Sequence, residues 1–237
     1  MTATIVLVPG AWSGAWMWEA VGRELDERGL AYRAVDLVSV GDDAAGRDVR
    51  DDAAHVRGVV DEIGAPVILV GNSYGGAVIS GASAGHPAVR RLVYLAAMMP
   101  KAGEPILEHI AGATAPDFDS GITARDDGML LMDAETELRT AFQQASPEAL
   151  DVVRSHLGAP MSFGADPTTV ALPEVGWTTI PSTYVVCSQD HSILPEAQRG
   201  WAKERATEVV EWDSDHCPQI SHPDLVADLL EKLVSQI

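Results

Sequence analysis

Cysteine is almost absent: the 237 residues contain two, Cys187 and Cys217. Two thiols cannot build the disulfide framework that staples small secreted domains, so both are expected free in a reducing compartment. Long apolar runs are missing too, and no segment nears the roughly 20 residues that a membrane-spanning helix needs. The stretch Met1 to Val8 has no basic n-region and reads as a first strand instead of a secretory signal. These absences predict a cytoplasmic protein. Positive charge is scarce, with 16 Lys and Arg against 35 Asp and Glu, a net of −19. Such a surface repels nucleic acid and anionic membranes, so neither is expected as a partner. Metal chemistry has no support, because there is no H-E-x-x-H and His216 and His222 lack further ligands at useful spacing.

What remains is an ordinary globular composition, 46% hydrophobic and 22% charged. That is enough to bury a large core without staples. Apolar runs at Thr4–Val8, Ala31–Val35, Val67–Val70 and Arg91–Leu95 read as strands. Helical patterns at Trp16–Arg28, at Val49–Ile63 with Gly64 as its stop, and from the Gly71 turn to about Gly85 alternate with them. This alternation predicts a parallel sheet covered on both faces. It breaks after Pro100. Residues 101–177 are rich in Gly, Pro, Asp and Met, with helical patches near Glu135–Gln144 and Pro147–Leu157. Strand and helix patterns return at Thr183–Cys187, Pro195–Arg205, Glu208–Trp212 and Pro223–Val234. The expected organisation is one α/β core, residues 1–100 and 178–237, interrupted by a lid at 101–177.

The chemistry centres on Gly71-Asn72-Ser73-Tyr74-Gly75, placed between a strand and a helix. A strand-to-helix turn this tight strains the central residue and admits only very small neighbours two positions away. It presents the Ser73 oxygen beside the N–H groups of a helix start, where a developing anion is favoured. A serine hydroxyl needs a base. Among seven histidines, His216 is the candidate, because its loop follows the last strand at the same sheet edge. His191 is a lesser candidate for lining the site. The base needs an acid to fix its tautomer. Asp190 follows a strand's C-terminal end and completes the chain order Ser, Asp, His. Asp213 and Asp215 are the alternatives. For the oxyanion, two N–H groups are required. Tyr74 supplies one and the loop Pro9-Gly10-Ala11-Trp12 the other. Pro9 has no N–H, which points to Ala11.

Together these segments resemble the α/β-hydrolase superfamily. More narrowly, the chain is similar to the plant methylesterase and hydroxynitrile lyase branch and its bacterial relatives. The resemblance rests on Val6 to Trp16, the turn at Ser73, Ile180 to Val186 running on to Asp190, and His216 with Ser221-His222-Pro223. It implies a sheet of six mostly parallel strands, a helical cap after the fourth strand and no cofactor. It also implies the triad Ser73, Asp190 and His216, with oxyanion donors at Ala11 and Tyr74. Departures are informative. The plant branch has His where this chain has Pro9. Hydroxynitrile lyases have Lys and Thr where it has Cys217 and Gly10. Loss of that lysine, which stabilises departing cyanide, favours ester hydrolysis over lyase chemistry. Trp12, Met98, Met129, Met132, Phe142 and Phe163 are the expected lining for a small apolar ester. A second copy of the chain is the other partner considered.

Three rival functions share these residues. A dinucleotide-binding dehydrogenase would use Gly10-Ala11-Trp12-Ser13-Gly14 and Asp36 for pyrophosphate and ribose. Trp12 and Trp16 obstruct the close approach it needs, and with only Lys101, Lys203 and Lys232 there is no Tyr-x-x-x-Lys pair. A lactonase or cyclase would keep the triad and change the reaction. A non-catalytic small-molecule receptor would keep only the pocket, because fold does not dictate function.

Overall fold

A computed structural model describes residues 3–237. Met1 and Thr2, read above with the first strand, lie outside the described residues. The chain runs β1 (Thr4–Val8), α1 (Glu19–Glu27), β2 (Tyr32–Ala34), α2 (Val49–Ile63), β3 (Val67–Asn72), α3 (Gly75–Ala82) and β4 (Val89–Leu95). Next come α4 (Ile106–Ile110), α5 (Pro116–Asp119), the pair β5 (Ile122–Ala124) and β6 (Leu130–Met132), α6 (Ala134–Ala141) and α7 (Pro147–Arg154). The core sequence then resumes with β7 (Ser182–Cys187), α8 (Pro195–Arg205), β8 (Glu208–Trp212), α9 (Pro218–Ser221) and α10 (Pro223–Val234).

Six strands form one sheet in the order β2-β1-β3-β4-β7-β8, and each neighbouring pair is parallel. Successive side chains of a strand point to opposite faces. On β1, Val6 and Val8 therefore face the layer that holds Val56 and Val60 of α2 and Ala77 of α3, which continues to Ala202 of α8 at the far end of the sheet. Ile5 and Leu7 pack with Val21 and Leu25 of α1 and with Val226, Leu230 and Leu233 of α10. Two apolar layers thus sandwich the sheet, which explains why its central strands are near-continuous Val, Ile and Leu.

Local signals set the helix ends. Asp48 and Asp51 form a reciprocal capping box at the start of α2, and Gly64 ends it in the left-handed region at φ 64°. The expected helix Trp16–Arg28 is divided. A 3-10 turn over Ala15–Trp18 precedes α1, because the Asp36 carboxylate accepts the Ala15 N–H at 2.8 Å and pins the first turn. The elbow helix stops at Ala82, short of the expected Gly85.

The two-stranded β5–β6 hairpin is antiparallel and separate from the main sheet. It had no counterpart in the expected layout, since three-residue strands leave too short an alternation to register. Isolated bridges Val40 to Met161, Pro105 to Ala171 and Thr114 to Ile193 tie the segment after β4 to the sheet's loops and to itself. Cys187 and Cys217 are both buried and free. Among the described residues, no helix is long and apolar enough to cross a membrane.

Candidate active site

The sheet changes direction between β1 and β3: β2 lies on one side of β1, and β3 with all later strands on the other. Loops leaving the C-terminal ends of such strands diverge and open a crevice. The loop after β1 carries Gly10 to Gly14, and the turn after β3 carries Ser73. A Cβ built on Gly10 would stand 3.1 Å from the Ser73 Cβ, so the two loops touch.

Ser73 has φ 54°, a conformation strained for any residue with a side chain. Its carbonyl accepts N–H bonds from Met98 at 2.9 Å and Gly76 at 3.1 Å, and its own N–H donates to Leu95 O at 3.2 Å. These bonds hold the strain in place. The glycine requirement is concrete. A Cβ on Gly71 would lie 2.5 Å from the Gly75 carbonyl carbon, and one on Gly75 would lie 2.5 Å from Pro9 O. Trp12 at φ 59° and Ala96 at φ 45° are the other non-glycine residues with positive φ among those described. All three follow β1, β3 and β4 at the same edge of the sheet.

His216 and Asp190 meet there. The His216 Nδ1 and Asp190 Oδ2 atoms are 2.6 Å apart, and both residues are buried. The remaining capacity of the carboxylate is filled. Oδ1 accepts the N–H groups of Ser192 at 2.7 Å and Ile193 at 2.9 Å, and Oδ2 accepts Gln198 Nε2 at 2.7 Å. With this many donors the acid has one orientation, toward the imidazole. The two other acids are engaged elsewhere. Asp215 accepts from the Gln144 N–H and the Ser221 hydroxyl, and Asp213 from Gln189 Nε2. Ser73 and His216 line one cavity, without a direct hydrogen bond between them. Catalytic hydrogen bonds are often long before substrate arrives.

Neither the Ala11 nor the Tyr74 N–H donates a hydrogen bond among the described residues. The Trp12 N–H is directed to Met161 Sδ at 3.3 Å. The Tyr74 side chain is anchored by its hydroxyl, which donates to Asp52 Oδ2 at 2.8 Å. Ser39 binds the same carboxylate through its N–H at 3.0 Å and its hydroxyl at 2.6 Å. Burial raises the Asp52 carboxyl above its usual range, while these donors work against that shift.

Two cavities meet at Ser73. A wider one of about 210 Å³ is bounded by Trp12, Met98, Ile106, Phe118, Leu130 and Phe163 among others. A narrow one of about 30 Å³ includes Ser73, His216, Met17, Phe142, Cys217 and Glu137. Of the expected lining residues, Trp12, Met98, Phe142 and Phe163 reach one cavity or the other. Met129 and Met132 reach neither. They are buried in and beside the β5–β6 hairpin, where Met132 Sδ approaches Gly121. His191 is exposed and bounds neither cavity.

Three residues that sequence reasoning passed over complete the frame. Asn72 Nδ2 donates to Leu95 O and to His216 O, each at 3.0 Å, and its Oδ1 accepts Gln219 Nε2 at 3.0 Å. It ties the elbow to the histidine loop. Gln198 links Asp190 to the end of β7 through the Cys187 N–H at 2.9 Å. Glu137 is among the residues that bound the narrow cavity. Asn72 occupies a variable position of the motif, and the other two are polar residues on ordinary amphipathic helices, so only their buried positions mark them. The dehydrogenase reading fails on Asp36. Its carboxylate caps the Ala15 turn and would lie 2.6 Å from a Cβ on Gly14, closing the space a ribose would need.

Comparison with known proteins agrees with this fold. The sequence model described as "Alpha/beta hydrolase family" matches residues 5–229. The chain belongs to the alpha/beta hydrolase family. Among its relatives, "Alpha/beta hydrolase nvfD" of Aspergillus novofumigatus is 28% identical over 98% of this chain and 96% of its own length. "Methylesterase 7" of Arabidopsis thaliana is 26% identical over 95% of this chain and 94% of its own. In three dimensions, polyneuridine aldehyde esterase superposes with a TM-score of 0.84 at 22% identity, over 98% of this chain and 99% of that one. This alpha/beta hydrolase thus shares its fold, end to end, with proteins named as esterases.

Proposed function

We propose that this alpha/beta hydrolase is a serine hydrolase acting on carboxylic esters of small, largely apolar molecules. One observation carries the reading: a strained serine at a glycine-framed elbow shares a cavity with an imidazole held at 2.6 Å by a fully engaged carboxylate. Ser73 attacks the ester carbonyl as His216 Nε2 takes its proton. Asp190 keeps Nδ1 protonated and stabilises the imidazolium. The Ala11 and Tyr74 N–H groups receive the oxyanion. The tetrahedral intermediate collapses as His216 protonates the leaving alcohol, and water then releases the acid from Ser73 by the same steps in reverse order.

The two cavities suggest how the ester divides. The apolar cavity of about 210 Å³ suits the acyl group, and its Trp12, Phe118 and Phe163 rings favour flat or branched hydrocarbon. The narrow one, about 30 Å³ beside His216, suits a methyl-sized alcohol. The methylesterases among the relatives support the same division. Residues 101–177, which furnish Phe118, Phe142 and Phe163, act in this reading as a lid over the elbow. The test is hydrolysis of p-nitrophenyl acetate and butyrate by the wild-type protein and Ser73→Ala. Turnover by the wild type, with a loss of about 10³-fold or more in the variant, is the expected result. Equal rates in both would overturn the assignment of Ser73.

A further inference from the structure

Glu137 lies on α6 and is 6% exposed, yet it has no polar partner. Its backbone N–H donates to Asp133 O within the helix. Among the described residues its carboxyl receives no hydrogen bond and no Lys, Arg or His pairs with it. A buried acid is almost always paired, because removing its charge from water is costly. Unpaired, it does not stabilise the fold, so its position calls for another explanation. Its neighbour along the helix, Arg139, points away and binds Asp117 at 2.9 Å.

Glu137 bounds the narrow cavity together with Ser73 and His216. That cavity is bounded by Ser73, His216, Cys217, Ala141, Phe142 and Met17 besides the oxyanion loop. Its polar side chains are Ser13, Asn72, Ser73, His216 and Glu137, with the weakly polar Cys217 thiol. The Asn72 amide is already committed to Leu95 O, His216 O and Gln219 Nε2, and Glu137 is the one carboxyl among the lining residues. At about 30 Å³ the cavity accepts one water-sized group. A buried water needs two to four polar partners to be held in one orientation.

We infer that Glu137 positions the water that hydrolyses the acyl-enzyme, a role that rests on the ester-hydrolase reading above. Once the alcohol has left the narrow cavity, water takes its place between Glu137 and His216. One O–H of that water donates to a Glu137 oxygen and the other to His216 Nε2. The water oxygen then attacks the acyl carbon as His216 takes the second proton. The carbonyl π pair moves onto oxygen, in reach of the Ala11 and Tyr74 N–H groups. Collapse of this intermediate breaks the bond from the acyl carbon to Ser73 Oγ, and His216 returns the proton to that oxygen. Glu137 gains and loses nothing and is a positioning residue. Burial pushes its carboxyl up to about 8, so near neutral pH it is mostly uncharged, with a carbonyl oxygen free to accept. A neutral acid also avoids placing a second negative charge beside the Asp190–His216 pair.

Pre-steady-state hydrolysis of p-nitrophenyl acetate separates acylation, seen as the first burst of nitrophenolate, from deacylation, seen as the lifetime of the acetyl-enzyme by intact-protein mass spectrometry. Glu137→Leu removes the polar atoms while keeping the site filled. It is expected to acylate Ser73 within about three-fold of the wild-type rate but to deacylate about ten- to hundred-fold more slowly. Glu137→Gln keeps a carbonyl acceptor and should restore most of the deacylation rate. Unchanged deacylation in Glu137→Leu overturns the inference. So does a loss confined to acylation, which would assign Glu137 to the leaving group, or an equal loss of both steps, which would make its role structural. Absence of both turnover and acetyl-enzyme in the wild-type protein would instead defeat the ester-hydrolase reading itself.

Discussion

At the scale of single residues, the proposed site depends on where a few carboxylates point. Asp190 and Asp215 are both buried and both near His216 in space or sequence. Their hydrogen bonds separate them: Asp190 faces the imidazole, and Asp215 joins the Gln144 N–H to Ser221. Asp190→Asn illustrates how specific this is. Asn Oδ1 could still accept from Ser192 and Ile193, but its NH2 group would face Gln198 Nε2 and His216 Nδ1–H, donor against donor. The imidazole would then favour the wrong tautomer or turn away. In a steady-state ester assay, kcat is expected to fall by about 10³–10⁴-fold with the fold intact. A loss below ten-fold would remove Asp190 from the mechanism. The serine, histidine and acid were legible in the sequence because each sits just past a strand's C-terminal end in a fixed chain order. Asn72, Gln198 and Glu137 were not, since their significance lies in buried partners, up to 147 residues away for Asn72, or in the lack of any partner across a cavity.

At the scale of elements, backbone proximity dictates the sequence around the elbow. The β3–α3 turn is pressed against the end of β1, which leaves no room for a Cβ at Gly75 between Pro9 O and Val8 O. These contacts are with backbone atoms and cannot yield as a flexible side chain would. Gly75→Ala should therefore cost about 1–3 kcal/mol in urea denaturation. Gly200 is the contrast. It lies on the exposed side of α8, and a methyl group placed there would meet nothing within 4 Å. Gly200→Ala should stabilise by up to about 1 kcal/mol, the difference in helix propensity. Equal effects at both sites would contradict this account of the turn. The long elements were readable for similar physical reasons. α2 and α10 carry amphipathic patterns, α2 opens on a capping box, and α8 and α10 open on Pro195 and Pro223; the boundaries of all three coincide with those expected. The β5–β6 hairpin and the one-turn helices α4, α5 and α9 are too short for a period to show, and tertiary contacts decide them.

At the scale of the whole molecule, a net charge of −19 coexists with a site whose wider cavity is lined mostly by apolar side chains and whose Asp190 is buried and paired. Surface charge therefore says little about substrate polarity, and the apolar cavity is the better guide. The six-stranded sheet was readable because α/β alternation repeats along most of the chain. Residues 101–177 were readable only as an interruption, because Gly- and Pro-rich loops carry little periodicity and tertiary contacts decide their conformation. The central claim is that one serine in the whole chain is activated. Labelling with a fluorophosphonate tests it most directly, because that reagent phosphonylates an activated serine hydroxyl regardless of the natural ester. Intact and peptide mass spectrometry should find one adduct per chain, on Ser73, with labelling lost in Ser73→Ala and strongly slowed in His216→Ala. An unlabelled wild-type protein, or an adduct on any other residue, would contradict the account.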